Sequence, residues 1–250
     1  MRNFAFLCLA ALLALNQPPA KAQSGSFIVS QHGHPVGTAS FDFTATPHGY
    51  NSTSLVRIAM PGFDYSLSKT ELLSSANHLH HVQLSAIVNS QAVNVVCAPE
   101  SVASTSTSQI LINISASGHS TTTRLAPHLG AVFLPDFDPG ALETMLALAV
   151  TRNNAGIWAI RPKQAGSVEP IQLATYADEQ GTLDGKSIVV HHLVANIADA
   201  STHLFSGPDN QLLQAELPEQ GFALVRNGFV LTPPTRPGAP PEPAAQPIQQ

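Results

Sequence analysis

Apolar and polar residues alternate strictly along "GTASFDFTATPHGY". Ala39, Phe41, Phe43 and Ala45 share one face, and Thr38, Ser40, Asp42 and Thr44 share the other. A period of two is that of a strand with one face buried, and Pro47-His48-Gly49 supplies its turn. "HHVQLSAIVNSQAVNVVC" repeats the pattern. Val82, Leu84, Ala86 and Val88 share a face, Asn89-Ser90 turns the chain, and Val93, Val95 and Cys97 resume. Further hairpins are expected about Ser117-Gly118, Asp184-Gly185 and Asn227-Gly228; the last two dipeptides are among the strongest short hairpin signals. The Ser/Thr run 101–108 reads as a loop. Roughly a dozen strands joined by short turns predict a largely antiparallel sheet.

One segment breaks the period. In "FLPDFDPGALETMLALAVTRN", Asp138 is an N-cap and Pro139 fills the first helical position, where its missing N–H costs nothing. Leu142, Met145, Leu146 and Ala149 recur at helical spacing, and Ala141, Ala147, Leu148 and Val150 make the remaining surface apolar too. A helix apolar nearly all round is buried on more than one side. The expected fold is therefore mainly β, a single antiparallel curved sheet or half-barrel with one central apolar helix over 139–151. β-rich blocks at 26–126 and 156–231 flank that helix, and each holds a glycine opening a strand (Gly37, Gly185), which suggests two similar halves.

The chain ends change the picture. Arg2, the apolar run Phe4 to Leu15 and "AKA" follow the order of a secretory signal peptide with cleavage after Ala22, and the apolar run is too short to be a membrane anchor. The β-rich domain then covers 23–232, and 233–250, with seven prolines, reads as an extended tail that could engage an envelope protein partner. Export removes Cys8 and leaves Cys97 alone, so no internal disulfide is available and the fold must stand on its core. Loss of Arg2 and Lys21 leaves nine basic against 16 acidic side chains, a net charge near −7 that disfavours nucleic acid and anionic membrane surfaces. The expected location is periplasmic or secreted.

This plan of exported antiparallel hairpins with an apolar helix between two β-blocks, closing in "DNQLLQAELPEQGFALVRNGF", resembles the half-barrel of periplasmic lipoprotein carriers (LolA-like) and related uncharacterised envelope domains. The resemblance implies a concave face and helix that hold acyl chains, and it transfers no carrier binding residue.

Catalytic patterns are weak. "SLSK" (Ser66–Lys69) matches S-x-x-K, but on a strand the two side chains point to opposite faces, and no K-T-G or S-D-N partner is present. His78 and His80 could meet one metal ion, yet neither HExxH nor paired CxxC occurs, and His80 is expected to face the same way as Val82 and Leu84. No catalytic residue, metal or cofactor is therefore assigned. The leading expectation is a non-enzymatic envelope protein binding an apolar small molecule or lipid in a groove under the helix, walled by Phe41, Phe43, Leu142, Met145, Leu146 and Trp158. The alternatives are a structural or protein-interaction module with a filled core and, third, a hydrolase with an unrecognised site.

Overall fold

The computed structural model describes residues 23–101, 108–163 and 166–233. The expected leader, the greater part of the Ser/Thr run and nearly all of the proline-rich tail lie outside them. Eight strands follow one another as a meander, each paired antiparallel with the next. They are β1 (Gln23–Gln31), β2 (His34–Thr46), β3 (Gly49–Met60), β4 (Phe63–Ser74), β5 (Leu79–Val88), β6 (Gln91–Ser101), β7 (Ser108–Ala116) and β8 (His119–Leu125). Most turns fall at the expected dipeptides, but Asn227-Gly228 makes no hairpin: Phe222–Arg226 pairs with Phe27–Gln31 and with Gln214–Leu217, while Phe229–Leu231 pairs with Gly181–Leu183. His32-Gly33, Asn89-Ser90, Ser117-Gly118 and Asp184-Gly185 all carry positive φ at both central residues, the geometry whose twist matches that of the flanking strands.

Beyond β8 come β9 (Ala131–Phe133), the helix α1 (Pro139–Thr151), β10 (Ile157–Arg161), β11 (Ser167–Thr175), β12 (Glu179–Leu183), β13 (Lys186–Ile197), β14 (Ala200–Ser206), β15 (Leu212–Leu217), β16 (Phe222–Arg226) and β17 (Phe229–Leu231). The sheet extends from β1 through β16, β15, β14, β13, β11 and β10, and β9 adds in parallel to β10. β13 serves two sheets. Its last residues pair with β11, while Lys186–Val190 pair with β12, which pairs in turn with β17. A small second core of Val190, Phe205, Leu213 and Phe229 fills the angle between them.

The fold is thus mainly β with one α-helix among the described residues, as the alternation predicts. The 17 strands exceed the dozen expected because β9, β10, β12 and β17 are three to five residues long, too short to show a period. The sheet curls but stays open. Among the described residues β8 and β9 share no ladder; instead β9 lies against β5, and Gly166 fits over the side chain of Ile112 on β7. One end of the sheet therefore overlaps the other as a second layer.

Helix α1 lies inside the curl, touching β2, β3, β9, β10 and β15. Asp138 caps it as expected, Oδ1 accepting from the N–H groups of Gly140 (2.9 Å) and Ala141 (3.3 Å). Ten of its 13 residues are buried, including Glu143 and Thr144, which accounts for apolar residues on nearly every side. No helix of the described residues is long and apolar enough to cross a membrane.

Candidate functional site

The overlap of the two sheet ends leaves a cleft of about 220 Å³. Its outer wall is the inward face of β4–β6: Tyr65, Leu84, Ala86, Val88, Val93 and Val95. Val82, Leu84 and Ala86 are buried while Val88 and Val93 are only half-buried, so the covering layer stops short of the later positions on this face. The inner wall is Leu134, Pro135 and Asp136 after β9, with Arg161, Pro162 and Lys163 at the end of β10. A small extension of about 80 Å³ shares four of these residues and reaches Phe137 and Leu142. The walls are apolar and the rim is charged. Lys163 Nζ lies 2.7 Å from Asp136 Oδ2, and Arg161 pairs with Glu169 at 3.3 Å, both partly exposed to solvent. Tyr65 donates its hydroxyl to the Asp136 carbonyl at 3.2 Å, and burial beside Asp136 and Asp138 holds that phenol protonated.

The groove expected from the sequence is built differently. Phe41, Phe43, Leu142, Met145 and Leu146 do come together around α1, but as buried members of one core, with Met145 1% exposed. Phe43 borders a separate cavity, and Leu142 borders the cleft extension. Trp158 is half-buried and stacks on His128 at 3.8 Å between ring centroids.

That separate cavity, about 310 Å³, is walled by Gln23, Phe43, Tyr50, Asn77, Glu143, Thr144 and Ala147. Glu143 is 3% exposed and accepts the Leu212 N–H at 2.7 Å. Burial pushes its carboxyl up to about 7 against the opposing pull of that N–H and of Arg226, the charged group facing it. A carboxyl raised in the folded state from 4.5 to about 7 leaves stability unaffected below pH 4.5 and subtracts from it as pH rises through 7, by about 3 kcal/mol at most. Glu143→Gln keeps an acceptor for Leu212 and removes the titration. Urea midpoints of variant and parent should therefore coincide near pH 4.5 and separate by pH 8, with the variant higher; parallel curves over that range would contradict the assignment.

A third feature is sealed in the core. Lys69 and Glu71 occupy the inward face of β4 between Leu67 and Leu73. Lys69 Nζ lies 2.9 Å from Glu71 Oε2 and 2.6 Å from Asp138 Oδ2, and all three side chains are fully buried. Ser52 and Ser54 on β3 stand opposite Glu71 and Lys69 in the ladder; their buried hydroxyls, like Glu71 Oε1, have no hydrogen-bond partner among the described residues. Burial would lower Lys69, but Asp138 and Glu71 outweigh it and hold the ammonium charged. Burial raises Glu71, with Lys69 opposing and Asp138 adding to the rise. The sequence signal for this cluster was the parity of β4, which places both charges on its apolar face. Ser66 is on the opposite face, so Ser66 and Lys69 form no catalytic pair.

His80 is exposed, not aligned with Val82 and Leu84 as expected. A bulge opposite Leu72 and Leu73 inserts it as the unpaired residue. His78 is half-buried, and no group of three metal-ligating side chains occurs among the described residues. Cys97 is buried and free, its thiol pushed up to about 12 by burial and the Glu71 charge.

No family model and no curated protein matches the sequence. Among solved structures, the chain is similar to a β-barrel-like protein of the domain of unknown function DUF1849 from Brucella abortus, at 8% identity and a TM-score of 0.55. The match covers 84% of this chain and 98% of that one. It shows a shared barrel-like fold.

Proposed function

We propose that the chain is an exported, non-enzymatic envelope protein that holds a small apolar or amphipathic ligand, with an acyl chain as the type, in the cleft between the overlapping ends of its sheet. The cleft carries the reading. The walls of the main cleft are chiefly aliphatic and aromatic with Asp136, Arg161 and Lys163 at its rim, its extension adds Asp138, Thr202 and Gln220, and together they approach the ~300 Å³ at which small-molecule sites begin. The side chains of Lys69, Glu71 and Asp138 are buried, with Asp138 at the inner end of the cleft extension. Export is supported by the leader pattern of Arg2, the apolar run Phe4 to Leu15 and "AKA". The likeness to lipoprotein carriers extends this reading, with the ligand moved from beneath the helix to the interlayer cleft. A structural module is the second reading, favoured by the close-packed core around Met145.

A fluorescent fatty acid titrated into the purified protein tests the proposal. Binding is expected in the parent. Ala86→Trp should fill the cleft and abolish it, and Lys163→Glu should weaken an anionic probe about tenfold, equivalent to about 1.4 kcal/mol. No uptake by the parent, together with no lipid in native mass spectra of protein from its own host, would leave the structural module.

A further inference from the structure

The buried cluster brings together more than an ion pair requires. One lysine contacts two carboxylates, so the core holds three ionisable groups where burial penalises each charge. The Asp138 oxygen that faces Lys69 is Oδ2; the other, Oδ1, is held by two backbone N–H groups at the start of α1. The third group, Glu71, accepts from the lysine nitrogen through Oε2 at 2.9 Å, and its other oxygen has no partner among the described residues. These are a nucleophile, an electrophilic carbon whose developing oxyanion is already provided for, and a proton carrier, in a site shut off from bulk water.

We propose that Lys69 and Asp138 condense spontaneously to an isopeptide bond, with Glu71 as the proton-transfer group. Nζ and Oδ2 stand 2.6 Å apart as an ion pair without hydrogen-bond alignment, and once the ammonium turns into line a proton passes from Nζ to Oδ2, leaving an amine beside a carboxylic acid. The nitrogen lone pair forms a bond to Cγ, and the carbonyl electron pair moves onto Oδ1, where the N–H groups of Gly140 and Ala141 receive it. Glu71 Oε2, 2.9 Å from Nζ, takes a second proton and returns it to the Oδ2 hydroxyl as the Cγ–Oδ2 bond breaks. One ammonium and one carboxylate become one amide and one water, nothing is oxidised or reduced, and Glu71 ends as it began. Burial makes Glu71 a weaker acid, which suits a carboxyl that takes up the proton, while Asp138 and Glu71 hold Lys69 charged, so release of the proton from Nζ is the uphill step. The product amide keeps Oδ1 as the cap of α1, so the helix need not move. The unpartnered hydroxyls of Ser52 and Ser54 offer the released water its first hydrogen bonds. The bond would fasten the helix to β4 in a chain whose described cysteine, Cys97, is free. It is independent of whether the cleft binds a ligand.

The test is mass spectrometry of the full chain under denaturing conditions, followed by tryptic mapping. The parent should weigh less than its sequence by one water. Trypsin does not cut after an acylated lysine, so 58–124 should stay whole and be joined to 125–152. Glu71→Gln should fold and keep the full sequence mass. Asp138→Asn should still condense, losing ammonia in place of water. Lys69→Arg retains a cation for the core and should give no linked peptide. A parent of full sequence mass that releases 58–69 as a free tryptic peptide would overturn the proposal, as would linkage in full yield in Glu71→Gln.

Discussion

Lys69→Met should cost the fold about 3–5 kcal/mol at pH 8, because it leaves two buried carboxylates with no cation. Lys69 supplies the charge and hydrogen-bond contributions that oppose the rise at Glu71; without it, burial and Asp138 remain and both push the same way. Carboxyls raised in the folded state bind protons that the unfolded chain has already released. The variant should therefore lose stability as pH rises above the ordinary carboxylate range, and recover part of its deficit at pH 5. Losing the cross-link would add to the deficit, since closing a loop of about 70 residues contributes on the order of 4 kcal/mol in the chain-entropy picture. Replacing the remaining charges as well, by Glu71→Leu and Asp138→Asn, should restore much of the loss, because a packed apolar group in place of a buried ion costs little. Urea unfolding at pH 5 and pH 8 compares the parent with the single and the triple variant. A Lys69→Met deficit below about 1 kcal/mol at pH 8 would mean that water reaches the carboxylates and that the cluster is not sealed.

Local chemistry made much of this architecture readable in advance. The alternation over Ala39, Phe41 and Phe43 and over Val82, Leu84 and Ala86 identifies the buried faces, and the same residues are buried in the structure. Asp138-Pro139 marks the helix start to the residue, because a cap is a contact between near neighbours. What escaped was non-local. Nothing in β13 announces that Val190 serves one sheet and Ala195 another. The cleft exists because β9 overlaps β5, a meeting of segments more than 40 residues apart in sequence, so Val93 and Lys163 could not be read as neighbours. Lys69 and Glu71 could be assigned to the inward face by parity alone, but their partner Asp138 was already explained as a cap. It does both tasks, with a different oxygen for each. His80 failed for a smaller reason: one inserted residue reverses the face of everything on its far side.

Met145→Ala should destabilise the protein by roughly 2–5 kcal/mol, the range for emptying a buried site that cannot collapse. Met145 is 1% exposed on the helix, within the same core as Phe41, Leu142 and Leu146 and away from the cleft walls. The helix is held at its start by the Asp138–Lys69 contact and wrapped by five strands, so neither side can close on the space left behind. This sets the packed core apart from the ligand site within one experiment. If the groove ran beneath the helix, shortening Met145 would enlarge it, change probe uptake and cost little stability. With the ligand in the interlayer cleft, Met145→Ala should lower the urea midpoint while leaving affinity for the fatty-acid probe near that of the parent, and Ala86→Trp should abolish uptake. A Met145→Ala variant of parental stability with altered probe affinity would return the binding site to the helix face and remove the cleft from it.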